Sequence, residues 1–161
     1  MAPAEQVGLW VDRHGQEIHA YLWRFLGDAQ DAEDALQETF LRALRYRGRP
    51  VAEPRAWLYA VAGNVARSQL RRRQRDEARF SQLDDETPAP ETTGGRDLWE
   101  SVRRVVEALP VKQRQALLLR RYQGLSYGEI ARAVGGSAES ARANVYQAVR
   151  RLRAAFPEEV R

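Results

Sequence analysis

A short acidic stretch rich in proline and glycine divides the chain into two halves that both have the periodicity of amphipathic helices. Residues 81–96 carry two prolines, two adjacent glycines, four acidic residues and one basic residue, with almost no apolar side chains. This composition does not support a helix or a core, so it predicts a flexible linker. We therefore expect an all-α chain of two small helical domains, residues 1–80 and 97–161, joined by the linker at 81–96.

The composition excludes several kinds of site. The 161 residues include no cysteine, which excludes disulfides, thiolate catalysis and zinc sites with cysteine ligands. No segment has the pattern of a signal peptide or about 20 consecutive apolar residues, so we expect a cytoplasmic protein with no membrane insertion. The net charge is only +4, and a hydrophobic content of 43% is sufficient for a folded core.

Apolar residues at three- and four-residue steps predict three helices in the first half. The first is predicted to end at Gly27, and its apolar stripe contains Val7, Trp10, Ile18, Tyr21, Leu22 and Phe25. The second runs from Ala29 to about Arg45, and its predicted apolar side contains Ala32, Leu36, Phe40 and Leu44. The third is predicted over residues 55–79, after a loop that contains two prolines.

Capping residues predict four helices in the second half. Asp97, Ser126 and Ser137 are placed to cap helices, and a further helix is predicted from Val111 to Tyr122. The short helix after Ser126, a Gly-Gly turn at 135–136 and a long helix after Ser137 have the order of a helix-turn-helix.

The last helix of this motif has a polar face suited to the major groove of DNA. Its apolar stripe contains Ala141, Val145, Ala148 and Leu152, and its other face and margins contain Glu139, Arg142, Ala143, Asn144, Tyr146, Gln147, Arg150 and Arg153. Arginine pairs with guanine, and asparagine or glutamine pairs with adenine, so this face can read bases. The alternative is an ordinary helical hairpin with a solvated basic face.

Two clusters of side chains in the first half could also bind a nucleic acid or a metal ion. Trp57 and Tyr59 lie among arginines, a pattern typical of surfaces that stack unpaired bases, although Trp57 alone is better explained as a core residue. Asp31, Asp34 and Glu38 share one helical face and could hold Mg²⁺ in a helical hydrolase, but a solvated or protein-docking face is favoured.

No catalytic motif appears elsewhere in the sequence. His14 and His19 do not align on one helix face, and the serines lack the pattern of a nucleophile elbow. No glycine-rich phosphate loop is present. We therefore predict no enzyme, no catalytic or metal-binding residue, no cofactor and no small-molecule substrate.

Several strings resemble bacterial sigma factors. The segment Asp31 to Phe40, Asp-Ala-Glu-Asp-Ala-Leu-Gln-Glu-Thr-Phe, resembles their region two, as do the stretches 14–21 and 57–59 with Asn64. The segments 109–120 and 124–131, the latter Gly-Leu-Ser-Tyr-Gly-Glu-Ile-Ala, resemble region four. Two such regions with only a short linker between them resemble the extracytoplasmic-function group of the sigma-70 family.

This resemblance implies a promoter-specificity subunit that binds core RNA polymerase through its β′ clamp and β flap, binds promoter DNA and is regulated by an anti-sigma factor. The residues it implies for polymerase binding are Asp34, Gln37, Glu38, Phe40 and Arg42. Those implied for the minus-ten element, where family members trap an unpaired base, are Arg55, Trp57, Tyr59, Asn64, Arg67 and Arg71. Those implied for the minus-thirty-five element are Ser137, Ser140, Arg142, Ala143, Asn144, Tyr146 and Gln147.

The chain departs from the family pattern at several of these places. Gly63 stands in the third helix where the family usually has a basic residue, Ser68 replaces a common aspartate, and Asn144 replaces arginine. A dimeric helix-turn-helix regulator and a metal-dependent helical hydrolase remain as alternative functions.

Overall fold

A computed structural model describes residues 3–81 and 95–157, which fold into seven α-helices and no strand. The all-α fold class is therefore confirmed over these residues. Most of the predicted linker, residues 82–94, lies outside the described part of the chain. Over the same residues, no helix is both long and apolar enough to cross a bilayer.

Three helices form the first half: α1 (Pro3–Leu26), α2 (Ala29–Arg45) and α3 (Pro54–Ser81). The predicted stripe of α1, from Val7 to Phe25, is buried throughout. Gly27 ends α1 at a φ of 71°, in the left-handed region that glycine adopts without a steric cost. Asp28 then caps α2, because its side chain accepts a hydrogen bond from the backbone N–H of Asp31 at 2.9 Å.

The buried side of α2 differs from the predicted one. Small residues face the other helices, and the buried set is Ala32, Ala35, Thr39 and Ala43. Of the predicted larger residues, Leu36 and Phe40 are half-buried and Leu44 is exposed. The predicted side of α2 was wrong because the prediction considered the hydrophobicity of the side chains and not their size. Small side chains allow α2 to approach α1 and α3 closely.

Four helices form the second half: α4 (Gly95–Ala108), α5 (Val111–Arg121), α6 (Tyr127–Val134) and α7 (Ala138–Ala155). The helix α4 begins at Gly95, two residues before the predicted N-cap, so Asp97 lies within the helix and is not its N-cap. The predicted capping box of Ser126 and Glu129 is present at the start of α6, at 3.1 and 3.0 Å. Gly135 and Gly136, with φ of 93° and 92°, make the turn before α7.

The two halves pack against each other. One continuous hydrophobic cluster contains Tyr21 and Tyr59 from the first half together with Leu119, Leu125 and Ile130 from the second. The helix α6 lies against α3, and α5 lies against α1. The sequence predicted two small helical domains joined by a flexible linker. In the described residues, part of each half is also buried in the other.

The C-terminal end of α1 shows how closely the halves are joined. Its last carbonyl groups have no partner within the helix. Arg114 donates to the Phe25 carbonyl at 3.2 Å, Arg73 donates to the Leu26 carbonyl at 3.1 Å, and Arg103 donates to the Gly27 carbonyl. Two of these arginines belong to the second half, so both halves cap the same helix.

Candidate nucleic-acid interface

The helix α7 presents the face that the sequence predicted. Ala141, Val145 and Ala148 are buried against the second half. The opposite face is exposed and contains Arg142, Ala143, Tyr146 and Gln147, while Asn144 is half-buried at its margin. Tyr146 has 63% of its surface exposed, which leaves its ring free to meet a binding partner. Such a helix after a glycine turn has the shape that enters a major groove.

The two serines assigned to this face cap the N-terminus of α7. Ser137 accepts a hydrogen bond from the Ser140 backbone N–H at 3.1 Å, and Ser140 accepts one from the Ser137 backbone N–H at 2.9 Å. Their hydroxyl groups therefore form a reciprocal cap. The N–H groups that a helix leaves unpaired in its first turn can bind a phosphate.

Sequence reasoning missed two residues beside this helix. The ring of Tyr127 lies 4.3 Å from the guanidinium carbon of Arg120 and 5.8 Å from that of Arg142. Both distances are within the range of cation–π attraction. Arg142 forms no ion pair with any residue that the structure describes, so its charge is available to an outside group.

Part of the predicted minus-ten set forms an outward stripe on α3. Asn64, Arg67 and Arg71 recur at three- and four-residue steps, with Asn64 and Arg71 exposed and Arg67 half-buried. Arg67 donates to the Asn64 side chain, and Arg71 donates to the Ser68 hydroxyl at 3.2 Å. Both guanidinium groups thus contact a polar residue one helical turn earlier on α3.

Trp57 is partly a core residue. Its ring lies 5.8 Å from that of Trp10 and 4.9 Å from that of Tyr46, and it is half-buried. The aromatic cluster fixes the start of α3 against α1 and the loop that follows α2. The residue as a whole keeps some exposure to solvent.

Two further residues of the predicted minus-ten set lie in a polar cluster between the halves. Tyr59 is only 1% exposed, and its hydroxyl donates to Glu17 at 2.7 Å and accepts from the Gln123 side chain at 2.8 Å. Arg55 donates to Glu17 at 2.8 Å and to the Gln123 backbone carbonyl at 2.7 Å. In this arrangement Tyr59 is buried, and the guanidinium group of Arg55 is engaged by groups of both halves.

The electrostatics of this cluster favour an ionised Glu17. Burial alone opposes ionisation of its carboxyl, but hydrogen bonds from Tyr59, Arg55 and His14 outweigh that effect and lower its pKa. Burial also raises the pKa of Tyr59, which keeps its hydroxyl protonated as a donor. The ionised carboxylate of Glu17 is thus the hydrogen-bond acceptor of the cluster, and Tyr59, Arg55 and His14 are its donors.

The acidic side of α2 forms a separate surface. Asp34 and Gln37 are exposed, while Glu38 is half-buried and pairs with Arg42 at 3.0 Å. Phe40 packs partly on the core, and Leu41 is 42% exposed beside it.

The carboxylates of α2 are not arranged as a metal cage. Asp31 is paired with Arg73, Glu38 with Arg42, and Asp34 accepts from the Gln30 side chain at 2.9 Å. In the described residues, no three histidine or carboxylate side chains converge as a metal site would require. The hydrolase alternative therefore has no geometric support in this part of the chain.

Comparison with known proteins agrees with this geometry. The family described as Sigma-70 region 2 matches residues 10–76, and the family described as Sigma-70, region 4 matches residues 99–152. The RNA polymerase sigma factor CarQ of Myxococcus xanthus is 33% identical over 147 residues, which cover 88% of this chain and 83% of CarQ. The RNA polymerase sigma-H factor of Pseudomonas aeruginosa is 32% identical, with 87% of this chain and 80% of that protein covered.

A solved structure has the same fold. The sigma factor RpoE of Bartonella quintana, crystallised in complex with the anti-sigma factor NepR, superposes with a TM-score of 0.70 at 22% identity. The superposition covers 96% of this chain and 99% of RpoE. The ECF RNA polymerase sigma factor SigL of Mycobacterium tuberculosis is 30% identical, with 91% of this chain and 86% of that protein covered. Together, the two matched regions in their order and the relatives across most of the chain identify it as a member of the extracytoplasmic-function (ECF) group of the sigma-70 family.

Proposed function

We propose that the chain is a dissociable promoter-specificity subunit of RNA polymerase with no catalytic activity of its own. The observation that carries this proposal is the presence of both sigma regions in one chain, at 10–76 and 99–152. A dimeric helix-turn-helix regulator would need only the second of them. We assign the functional units to residues 1–80 and 97–161, with 81–96 as the connection between them.

The first contact is with the β′ clamp of core polymerase, through Asp34, Gln37, Glu38, Phe40 and Arg42. The exposed carboxylates of this face suit a basic partner surface. Leu41 and Leu44 are exposed next to them and add apolar area that such an interface can bury. The β flap contacts the second half in the same proposal.

The second contact is with the minus-ten element. Asn64, Arg67 and Arg71 form the outward stripe of α3, with Arg67 half-buried, and follow the phosphates and bases of the non-template strand. Trp57 offers part of its ring to an unpaired base. Arg55 and Tyr59 belong to the same surface, and they reach DNA only after the cluster around Gln123 separates.

The third contact is with the minus-thirty-five element, in the major groove. Arg142, Asn144 and Gln147 supply the base-reading groups, and Ala143 and Tyr146 supply apolar contact. Ser137 and Ser140 act through the first turn of α7, whose N–H groups lie close to the phosphates.

An anti-sigma factor is the expected regulator, and its binding would occlude one or both halves. The support is that the structural neighbour of Bartonella quintana was solved in complex with one. Because polymerase and chromosomal DNA are the partners, we place the protein in the cytoplasm.

Run-off transcription with purified core polymerase tests the proposal. The chain should direct core polymerase to promoters of its own genome, and the variant Asp34→Asn should weaken the association with core. The matched control is Glu5→Gln, which changes an exposed carboxylate in the first turn of α1. Failure to initiate at any promoter refutes the proposal, and tight binding of palindromic duplex without polymerase favours the regulator.

A further inference from the structure

The outward face of α7 begins with a carboxylate that the set assigned to the minus-thirty-five element does not contain. Glu139 is the second residue of α7, and it is exposed. Ala143, Tyr146 and Arg150 follow it along the same side at helical steps, and all three are exposed. In a helix-turn-helix, the N-terminal residues of the second helix contact the base edges. Glu139 therefore lies in the part of α7 that reaches the bases first.

The negative charge of Glu139 has no counterpart within α7. The helix contains four arginines and no other acidic residue. Glu139 forms no ion pair with any residue in the described ranges 3–81 and 95–157. Arg142 lies one turn further along α7, but its guanidinium carbon is 5.8 Å from the centre of the Tyr127 ring in α6. The carboxylate thus remains available to a donor outside the chain.

Stabilisation of the helix end is the simplest explanation of an acidic residue at this position. A negative charge in the first turn of a helix interacts favourably with the helix dipole. However, the reciprocal cap of Ser137 and Ser140 already closes this turn. A carboxylate that approaches DNA is also repelled by the phosphates, so it lowers the affinity unless it meets a hydrogen-bond donor.

The major groove offers few donors that a carboxylate can use. An ionised carboxylate only accepts hydrogen bonds. Guanine presents two acceptors, and thymine presents an acceptor beside a methyl group, so neither base can donate to it. Adenine presents an amino donor, but the acceptor N7 lies next to that donor and repels a negative charge. Cytosine presents its N4 amino group alone, and it is therefore the base that suits Glu139.

The next residue on the same face leaves this contact to the carboxylate. Ala143 follows Glu139 by one helical turn and carries only a methyl group. It offers no donor that could neutralise Glu139 and no polar group for a base. A methyl group suits the methyl group of thymine instead.

We infer that Glu139 is a specificity-determining residue of the minus-thirty-five contact: its carboxylate accepts a hydrogen bond from the N4 amino group of a cytosine and disfavours the other bases at that position. The inference rests on the proposed function, because it needs α7 in the major groove. It adds a residue to the base-reading set and names the base that this residue reads. Its effect differs from that of the arginines, since it selects among sequences and does not raise the affinity for DNA in general.

Transcription from a set of altered promoters tests the inference. The set starts from a promoter that is active in the run-off assay, and each base pair of its minus-thirty-five element is replaced in turn by the others. Holoenzyme with the parent chain should prefer cytosine at one position by at least about tenfold over the other bases. Glu139→Ala should reduce that preference to within about threefold and leave the preferences at the other positions unchanged.

Glu139→Gln gives a sharper result, because it changes the preferred base. An amide group both accepts and donates, and glutamine pairs with N7 and N6 of adenine. At the same base pair, this variant should prefer adenine to cytosine by at least about fivefold. The substitution removes the charge and keeps the size of the side chain, so lost packing does not produce this change.

A modified base identifies the atom that Glu139 contacts. Replacing the selected cytosine by pyrimidin-2-one removes the N4 amino group. In a fluorescence anisotropy titration, holoenzyme with the parent chain should bind this promoter at least about fivefold more weakly, and the Glu139→Ala holoenzyme less than about twofold more weakly. The weaker base pair affects both proteins equally, so the difference between them measures the contact.

Glu100→Gln is the matched control, since it removes the charge of an exposed carboxylate in α4. Its base preferences should equal those of the parent chain, and circular dichroism checks that each variant folds. If Glu139 only stabilised the end of α7, both of its substitutions would lower transcription by one common factor at every promoter. That result overturns the inference, as does an equal gain in affinity for all sequences, which would indicate relief of phosphate repulsion without a base contact.

Failure of the proposed function gives a different result. If the parent holoenzyme initiates at no promoter, the proposed function fails and the inference fails with it. If the parent initiates and its base preferences survive both substitutions of Glu139 at every position, only the role of Glu139 is refuted.

Discussion

Replacing Tyr59 with phenylalanine isolates the buried hydroxyl that joins the two halves. The hydroxyl donates to the charged Glu17 at 2.7 Å and accepts from Gln123 at 2.8 Å. A hydrogen bond to a charged group contributes about 1.5–3 kcal/mol, and one between neutral groups contributes about 0.5–1.5 kcal/mol.

The partners of the lost hydroxyl keep other contacts, which limits the cost. Glu17 remains bound to Arg55, and the Gln123 amide nitrogen still donates to the Glu17 carbonyl. We therefore expect Tyr59→Phe to lower the free energy of unfolding by about 2 kcal/mol, near the low end of the sum. For a chain of this size that corresponds to a fall of about 4–8 °C in Tm.

Urea denaturation followed by circular dichroism measures this change, with Tyr146→Phe as the control. The Tyr146 side chain is exposed, so loss of its hydroxyl should change stability by less than about 0.5 kcal/mol. A double-mutant cycle with Gln123→Ala should give a coupling of about 1 kcal/mol across the halves. A cost below about 0.5 kcal/mol for Tyr59→Phe, with no coupling, would show that the hydroxyl is solvated and that the halves are apart.

Three other outcomes follow from single sites. Arg142→Ala should weaken minus-thirty-five binding by about 1–3 kcal/mol in a fluorescence anisotropy titration, and unchanged promoter selectivity would remove Arg142 from the base-reading set. Ser126→Ala removes the cap of α6 and should lower the free energy of unfolding by about 1 kcal/mol in urea denaturation, while a negligible change would contradict the observed capping box. Because the pKa of Glu17 is lowered from its ordinary 4.5, its contribution to stability is fully present above that pH and is lost as the pH falls through the folded-state value. Thermal unfolding of Glu17→Gln and the parent should accordingly differ at pH 7 and converge in acid, and a constant difference would refute this assignment.

Local chemistry made most helix ends predictable from the sequence. The ends of α1, α2 and α7 follow from Gly27, Asp28 and Ser137, each of which satisfies backbone groups within four residues of itself. The outward face of α7 was predictable for the same reason, since its buried stripe repeats at helical steps. The face of α2 was not, because close packing of helices selected alanine and threonine over larger leucines.

The contact between the halves could not be predicted from local patterns in the sequence. Gln115 and its partner Tyr21 are 94 residues apart, and a glutamine carries no sign of which distant group it will meet. One signal was visible: a glycine inside a helix costs about 1 kcal/mol relative to alanine, and Gly63 is such a residue. The reason for this glycine is the amide nitrogen of Gln115, which lies next to it only in the folded chain.

The capping of α1 by both halves determines how fragments of the protein should behave. Its side chains complete one half, while Arg114 and Arg103 of the other half bind the carbonyl groups of Phe25, at its end, and of Gly27, just after it. A fragment that ends before the acidic stretch would expose those carbonyls together with the rings of Tyr21 and Tyr59, and would be prone to self-association. The two pieces, expressed separately and mixed, should instead find each other and re-form the closed body without a covalent link between them.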